Sequence, residues 1–307
     1  MKIFVFGAGV QGTVFAVRLA QIGHQVTLVA RPSRADQLRS NGASIQNVLT
    51  SETVTASLPV VESLPPECSA DLCLVTVRRE QLECVLPILA QATGVGRFVF
   101  LVNHANGSED LFRQLGKQRV VLAFPGIAGS LKDGVVQYIE ISQQPTVVDS
   151  DAADVAALFR DAGLLINREK DMDAWLRRHA VFITAIAGAL YENGCDSHRL
   201  ARNSNDVRRF VCGVREGWHA LDQMRVARAP VALRTIFCWV PIRFSVRYWS
   251  KLLDSASGDL FFARHARHAP SEMAALASDV RAFAGAAEAP VLNSLLNAID
   301  RYPDESK

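Results

Sequence analysis

The sequence predicts an open, doubly wound α/β domain followed by an all-helical domain, and three observations support this prediction. Short apolar runs of strand length alternate with helical segments as far as residue 168. Beyond that residue the apolar periodicity is helical. The length of 307 residues fits two domains at ~150 residues each. We therefore predict an N-terminal domain over residues 1–168 and a helical substrate and dimerisation domain over residues 169–307.

Each element is predicted from its own run of residues. Strands are predicted at residues 2–6, 25–30, 70–77, 97–103, 120–124 and 135–141, with 146–148 as the last. Helices of the first domain are predicted at residues 13–22, 82–90 and 151–162. Asp149 or Ser150 is the expected cap of the third of these helices. Helices of the second domain are predicted at residues 172–190, 204–225, 231–253 with breaks, and 271–301 with a break near Pro290.

Composition narrows the class of protein. Hydrophobic residues make up 49% of the chain and charged residues 21%, as is usual for globular proteins. No uninterrupted apolar run reaches the ~20 residues of a membrane span, and no signal peptide is recognisable. The six cysteines show no CxxC spacing. We expect a cytoplasmic protein with reduced thiols.

The net charge of +2 is unevenly distributed along the chain. Residues 171–270 carry 15 basic and 9 acidic side chains. We interpret the arginines of this stretch as singly spaced and without interleaved aromatic side chains, which is unlike a nucleic-acid surface. The expected partner is therefore a small anionic molecule, and neither a nucleic acid nor a membrane.

A glycine-rich turn follows the first predicted strand. It consists of Gly7, Ala8, Gly9, Val10, Gln11 and Gly12. Because a strand precedes it and a helix and a second strand follow, the turn matches the dinucleotide-binding fingerprint of Rossmann-like domains. Gly7 would permit the tight turn, Gly9 the approach of the pyrophosphate and Gly12 close helix–strand packing, with the phosphates at the helix N-terminus.

The end of the second predicted strand indicates the cofactor. A carboxylate at this position would hold the ribose 2′-hydroxyl of NAD, whereas an arginine accommodates the 2′-phosphate of NADP. This chain has Arg31 there, with Arg34 as a candidate helper, and no carboxylate before Asp36. The sequence therefore favours NADP (NADPH).

Together with four further segments, these motifs resemble the ketopantoate reductase (2-dehydropantoate 2-reductase) family over the whole chain. The further segments are residues 74–81, 101–103, 175–181 and 271–293. The resemblance implies an NADPH-dependent oxidoreductase that transfers a hydride to the carbonyl of a 2-oxo acid, as in pantothenate biosynthesis. It also implies an active cleft between the two domains, and a homodimer is one expected assembly.

The resemblance assigns roles to individual residues. Arg78, followed by Gln81, would join Arg31 at the 2′-phosphate. Asn103 would lie near the nicotinamide and orient the carbonyl, and Glu272 would anchor the substrate or the cofactor ribose.

The chain also departs from the family. The family's catalytic lysine corresponds to Arg178, and its two substrate asparagines correspond to Phe182 and Ile186. Arginine keeps its proton, so Arg178 would attract an anionic substrate rather than protonate it. The alternative for Arg178 is a structural role as an arginine at the domain interface, paired with an acid. We identify this chain as a divergent relative that keeps the cofactor-binding motifs and differs from the family at the positions that would contact the substrate.

The roles of other candidate residues remain open at this point. The proton source is His104, His179 or a water held by Glu272, although an exposed loop histidine is the simpler interpretation of His104. The family's substrate serine corresponds to Ser250, Ser255 or Ser257.

A metal site is not predicted. His265, His268 and Glu272 would share one face of a continuous helix, but Pro270 is better placed as the first residue of a new helix.

Two other functions remain open. One is a non-catalytic NADP(H)-responsive binding protein. The other is an opine-type dehydrogenase that reduces an imine, because a permanent arginine charge suits an amino-acid carboxylate.

Overall fold

The computed structural model describes residues 1–227, 231–285 and 289–303, and the chain divides into two compact units. The N-terminal unit comprises Met1–Val102 and Ser108–Met172. The C-terminal unit comprises Asn103–Gly107 and Asp173–Lys307. The first is α/β and the second is helical, so the predicted fold class is confirmed. The division lies four residues beyond the predicted boundary, and the loop 103–107 groups with the helical unit.

An eight-stranded sheet forms the centre of the N-terminal unit. Its order is β12-β11-β8-β7-β6-β1-β2-β5, and every pair is parallel except β8 with β11. The strands are β1 (Lys2–Phe6), β2 (Gln25–Val29), β5 (Val60–Val61), β6 (Ala70–Val75), β7 (Val95–Leu101), β8 (Val120–Phe124), β11 (Thr146–Asp149) and β12 (Ile166–Glu169). Apolar runs such as residues 72–75 of β6 suit central parallel strands, which are covered on both faces.

A smaller four-stranded sheet was not predicted. Its order is β4-β3-β10-β9, with β3 (Ala43–Asn47), β4 (Thr53–Ala56), β9 (Ile127–Lys132) and β10 (Val135–Glu140). β3 and β4 are short and rich in Ser, Thr, Gln and Asn, so they lack the apolar run that marks a strand.

Five helices of the N-terminal unit surround these sheets. They are α1 (Val10–Gln21), α2 (Pro32–Asn41), α3 (Leu82–Gln91), α4 (Glu109–Leu115) and α5 (Ala153–Asp161). α1 begins three residues before the predicted start, and the polar helix α2 was not predicted. The predicted cap of α5 is wrong, because its N-cap is Ala152 while the Asp149 carboxylate accepts from the Asp151 N–H at 3.0 Å. β12 also follows the strand that was predicted to be the last.

The C-terminal unit is built from nine described helices. They are α6 (Met172–Glu192), α7 (Ser197–Arg202), α8 (Ser204–Gln223), α9 (Val231–Arg234), α10 (Ile242–Leu253), α11 (Ala256–Gly258), α12 (Arg264–His268), α13 (Pro270–Phe283) and α14 (Pro290–Arg301). Two π-helical segments lie between these helices. Thr235–Trp239 follows α9 and leads towards α10, and Asp259–Ala263 joins α11 to α12. Pro270 and Pro290 each stand in the first turn of a helix, as their positions predicted. Within the described ranges, no helix has the length and apolar character to cross a membrane.

Candidate functional site

The glycine turn connects β1 to α1 through two close backbone contacts. Gly7 has φ +110° and donates its N–H to the Val29 carbonyl at 3.0 Å. A Cβ on Gly12 would lie 1.9 Å from the Gly7 carbonyl oxygen, so only glycine fits there. Gly9, the N-cap of α1, has open space around the position of a Cβ. The three glycines therefore provide a tight turn, an open approach and close packing, as the fingerprint requires.

Three side chains hold the carbonyls of this turn. The Thr76 hydroxyl donates to the Gly7 oxygen at 2.7 Å, and the Thr13 hydroxyl donates to the Ala8 oxygen at 3.3 Å. The Arg34 Nε also donates to the Ala8 oxygen at 3.2 Å. Thr76 was not predicted as a site residue, although its place directly after β6, the strand beside β1, could have indicated a role.

Arg31 and Arg78 follow the two strands that flank β1. β2 and β6 run parallel to β1 on either side, so both arginines belong to the edge of the sheet where the glycine turn begins. Both residues are exposed. Gln81, in contrast, accepts from the Arg78 N–H at 3.1 Å and holds the turn that carries Arg78.

These residues fit a dinucleotide phosphate. The first turn of α1 carries no acidic residue, and its N–H groups and helix dipole favour an anion. The glycine turn forms a cradle that a Cβ at position 12 would fill, and two exposed arginines belong to the same edge of the sheet.

In the C-terminal unit, Asn103 and Glu272 are brought together. The Asn103 Nδ2 donates to the Glu272 Oε1 at 3.3 Å. Glu272 is buried in the first turn of α13, where the helix dipole favours its charge. Two turns further along α13, the Asp279 carboxylate accepts from the Ala105 N–H at 3.4 Å. One helix therefore fixes the loop 103–107 at two points.

His104 is buried in this loop, with 3% of its surface exposed. The interpretation as an exposed histidine is wrong, because the loop groups with the helical unit. Ala105, the next residue, belongs to the core of that unit.

Arg178 is held by backbone carbonyls and one carboxylate. Its Nε donates to the Ala227 oxygen at 2.6 Å, and its Nη1 donates to the Trp218 oxygen at 3.4 Å. Its Nη2 donates to Asp222 at 2.7 Å and to the Val226 oxygen at 2.9 Å. The side chain is 4% exposed. This geometry corrects the predicted substrate clamp, because the donors of Arg178 are engaged in joining α6 to the end of α8. It favours the structural ion pair that the sequence left open.

Arg177, the preceding residue of α6, differs from Arg178. Its Nε is buried and has no hydrogen-bond partner among the described residues. A guanidinium without a fixed partner can bind an anion, whereas Arg178 would first have to break its own bonds. Arg177 was not among the predicted site residues, because no residue pattern tells which of two adjacent arginines forms hydrogen bonds within the fold.

The positions of the family's two asparagines are apolar and buried here. The Phe182 ring packs 5.5–6.0 Å from the rings of Phe210, Phe237, Trp249 and Phe262. Ile186 is also buried in this core. Neither residue offers a hydrogen bond to a substrate.

The candidate serines are placed differently from one another. Ser250 is partly exposed on α10. Ser255 caps α11 and donates its hydroxyl to the Leu252 oxygen at 2.6 Å. The side chain of Ser257 lies outside the described residues.

His265 and His268 lie on α12, and Glu272 lies on α13, so the helix break predicted at Pro270 is confirmed. Among the residues that the structure describes, no group of three metal-ligating side chains occurs.

His179 is buried and stacks on Trp175, with ring centroids 4.9 Å apart. Burial, together with the nearby His265, lowers the pKa of His179 to about 3. The imidazole is therefore neutral near pH 7 and cannot act as the proton donor. Of the three predicted proton sources, His104 and a water held by Glu272 remain.

The lowered pKa of His179 predicts acid sensitivity. In the unfolded chain the imidazole binds a proton below about pH 6.5, whereas the folded protein excludes that proton until about pH 3. The free energy of unfolding should therefore fall as the pH drops below about 6.5, by about 2 kcal/mol at about pH 5. His179→Phe, which keeps a ring against Trp175, should remove this loss in urea titrations. His219→Gln replaces an exposed histidine and should retain it. An unchanged pH dependence in His179→Phe would show that His179 is not responsible.

Comparisons with known proteins agree with this architecture. A family model described as ketopantoate reductase PanE/ApbA matches residues 3–150. A curated 2-dehydropantoate 2-reductase from Listeria monocytogenes is 23% identical over 122 residues, which are 40% of this chain and 41% of that protein's length. These findings confirm the resemblance seen in the sequence motifs.

Solved structures share the fold over nearly the whole chain. A PanE/ApbA family ketopantoate reductase from Ralstonia eutropha JMP134 has a TM-score of 0.77 at 20% identity, covering 98% of this chain and 97% of that chain. D-mandelate dehydrogenase, solved with NADH and anilino(oxo)acetate, has a TM-score of 0.76 at 16% identity with the same coverage. At these identities the likeness shows the fold alone.

Proposed function

We propose that the protein is an NADPH-dependent reductase of a 2-oxo acid, and the ketopantoate reductase family model that matches residues 3–150 supports this proposal. The observation that carries the proposal is the glycine cradle, in which a Cβ on Gly12 would lie 1.9 Å from the Gly7 oxygen. D-mandelate dehydrogenase, which shares the fold, is named for a 2-hydroxy acid, the product class proposed here. When bound, the nicotinamide would supply the hydride.

The cofactor half of the proposal uses residues of the N-terminal unit. Gly7, Ala8, Gly9, Val10, Gln11 and Gly12 would receive the pyrophosphate at the start of α1. Arg31 and Arg78 would bind the 2′-phosphate through charge-assisted hydrogen bonds. Gln81 would act indirectly, by holding the turn of Arg78.

The substrate half centres on Asn103 and Glu272. The Asn103 amide would donate a hydrogen bond to the substrate carbonyl oxygen, where negative charge develops during reduction. The Glu272 carboxylate accepts from the same amide at 3.3 Å and would fix its orientation. The proton would come from His104 or from a water on Glu272.

For the substrate carboxylate we propose Arg177 in place of Arg178. The Arg177 Nε is buried without a partner among the described residues, whereas the donors of Arg178 bond to four groups of its own unit. A fork of guanidinium donors can hold a carboxylate through two bonds. Phe182 and Ile186 remove polar partners from α6, which favours a substrate with an apolar side chain over ketopantoate.

A panel assay tests this function against the two alternatives. NADPH oxidation is measured with a series of 2-oxo acids, with and without added amino acids. A 2-oxo acid reductase turns over with the acid alone, and an opine-type enzyme requires the amino acid. A non-catalytic NADP(H)-binding protein binds NADPH but oxidises it neither with the acid alone nor with the acid and an amino acid together. A cytoplasmic location and a homodimer stay predictions.

Cofactor preference gives a separate prediction for Arg31. A charge-assisted hydrogen bond contributes about 1.5–3 kcal/mol, so Arg31→Ala should weaken NADPH binding about tenfold or more and leave NADH binding nearly unchanged. Fluorescence titration measures both affinities. Arg39→Ala removes an exposed arginine of α2, the helix whose N-cap is Arg31, and serves as the matched control. Equal losses for the two cofactors would contradict the role of Arg31.

A further inference from the structure

The charge excess of residues 171–270 is concentrated in one segment. Residues 223–253 contain six basic residues and no Asp or Glu. These six account for the whole surplus of the 15 basic over the 9 acidic residues of the longer stretch. Aromatic residues interleave with them, as in Arg243-Phe244 and Arg247-Tyr248, so the earlier interpretation of this stretch as free of aromatic interleaving is wrong.

The helix α10 sorts these residues onto two faces. Ser245, Trp249 and Leu253 are buried at a four-residue spacing. The Ser245 hydroxyl donates to the Ile236 oxygen at 2.5 Å, and the Trp249 ring lies 5.1 Å from that of Phe237. These contacts fix the rotation of α10, so its opposite face stays outward.

The outward face carries two adjacent columns of side chains. Arg243, Arg247 and Lys251 form a basic column at i, i+4 and i+8, and all three are exposed. Phe244 and Tyr248 form an aromatic column beside it, with 53% and 48% of their surfaces exposed.

Two further residues of the same character precede α10 in the chain. Trp239 is 56% exposed, and the Arg234 guanidinium lies 4.7 Å from its ring centroid. We name the whole surface the basic–aromatic face, which consists of Arg234, Trp239, Arg243, Phe244, Arg247, Tyr248 and Lys251.

Charge argues against a second copy of this chain as the occupant. A two-fold interface places the same patch on both subunits. Two basic–aromatic faces would bring arginines against arginines, with no carboxylate in residues 223–253 to neutralise them. Like charges placed opposite each other cost free energy.

The ring contacts argue against a single-stranded nucleic acid. Stacked bases require free aromatic faces. The Arg234 guanidinium covers one face of Trp239, and the Arg243 guanidinium lies 5.1 Å from the Phe244 centroid. Leu233, which is 37% exposed next to Arg234, adds an aliphatic side chain that bases do not use.

A lipid surface matches both columns. Trp, Tyr and Phe settle at the level of lipid headgroups, while Arg and Lys on the same helix attract anionic phospholipids. We propose that the basic–aromatic face binds the surface of a bilayer rich in anionic phospholipid, with α10 lying in the plane of the interface. Such peripheral binding requires no membrane-spanning helix, but it departs from the expectation, drawn from the sequence, that a membrane is not a partner.

Vesicle co-sedimentation of the full chain tests this proposal. Wild type should sediment with phosphatidylcholine vesicles that contain about 30 mol% phosphatidylglycerol, and not with phosphatidylcholine alone. Arg243→Glu/Arg247→Glu should weaken the binding about 30-fold or more, since each basic residue near an anionic surface contributes about a fivefold effect. Phe244→Ser/Tyr248→Ser should weaken it at the same net charge. The double variant Arg199→Glu/Arg202→Glu, with the same charge change on α7, is the matched control and should bind as wild type does.

Circular dichroism and thermal melting verify that every variant is folded. Three results would each overturn the proposal. The first is no sedimentation of wild type with anionic vesicles. The second is equal loss of binding in the α10 and α7 charge variants. The third is evidence of a different occupant, either as tighter binding of wild type to a single-stranded oligonucleotide or as a dimer that Arg243→Glu/Arg247→Glu abolishes.

Discussion

Arg178→Ala is expected to lower the free energy of unfolding by about 3 kcal/mol, because the Arg178 side chain is only 4% exposed and its removal leaves several backbone oxygens without this donor. The guanidinium is bonded to Asp222 and to the backbone oxygens of Trp218, Val226 and Ala227. Without it, these acceptors lose this donor and α6 keeps fewer hydrogen bonds to the end of α8, although the bond from the Trp218 indole N–H to the residue 178 carbonyl oxygen remains. Urea unfolding at neutral pH measures the effect.

The matched control is Arg177→Ala on the same helix. Arg177 has a buried Nε without a partner among the described residues, so its loss should change stability by less than about 0.5 kcal/mol. It should raise the KM for the 2-oxo acid about tenfold or more, because a charge-assisted bond to the carboxylate disappears. If Arg178→Ala were as stable as wild type and selectively lost substrate affinity, Arg178 would be the substrate clamp after all.

Gly12→Ala should have the second large effect. The new Cβ would lie 1.9 Å from the Gly7 oxygen and 2.5 Å from the Thr76 Oγ1, so the glycine turn must shift. Overpacking of this kind costs about 1–3 kcal/mol of stability. Because the shifted turn can no longer cradle the pyrophosphate, NADPH binding should weaken about 100-fold or more. Thermal melting and fluorescence titration measure the two effects.

Gly9→Ala separates binding from folding in the same turn. A Cβ on Gly9 meets nothing within 4 Å, so the melting temperature should stay close to that of wild type. NADPH should nevertheless bind less tightly, because the methyl group would occupy the open approach that the pyrophosphate uses. If Gly9→Ala and Gly12→Ala both bound NADPH as tightly as wild type does, the cradle would not be the cofactor site.

Much of the fold followed from local sequence signals. Strands such as β1 and β8 are apolar runs whose bounds matched the prediction, and α6 and α8 show long helical periodicity. The polar elements β3, β4 and α2 were missed, because neighbouring elements stabilise them and their own residues do not show it.

The two halves of the candidate site differ in what the sequence could reveal. The glycine turn can be recognised from the spacing of its glycines. The arginines after β2 and β6 can be recognised from their positions directly after predicted strands. The hydrogen bonding of Arg178, the burial of His104 and the protonation of His179 depend on which distant groups the fold places around these side chains. Carbonyls of residues 218, 226 and 227 engage Arg178, and burial makes His179 neutral. Such contacts arise only when helices far apart in the chain come together.

Isotope transfer tests the proposed activity most directly. The protein is incubated with NADPH that carries deuterium at the transferable position of the nicotinamide and with each 2-oxo acid in turn. The products are then analysed by mass spectrometry. The proposed function predicts a 2-hydroxy acid with one deuterium at C2, formed faster with NADPH than with NADH. Tight NADPH binding without deuterium in any product, amino acids included, would contradict catalysis and leave the NADP(H)-binding protein as the function.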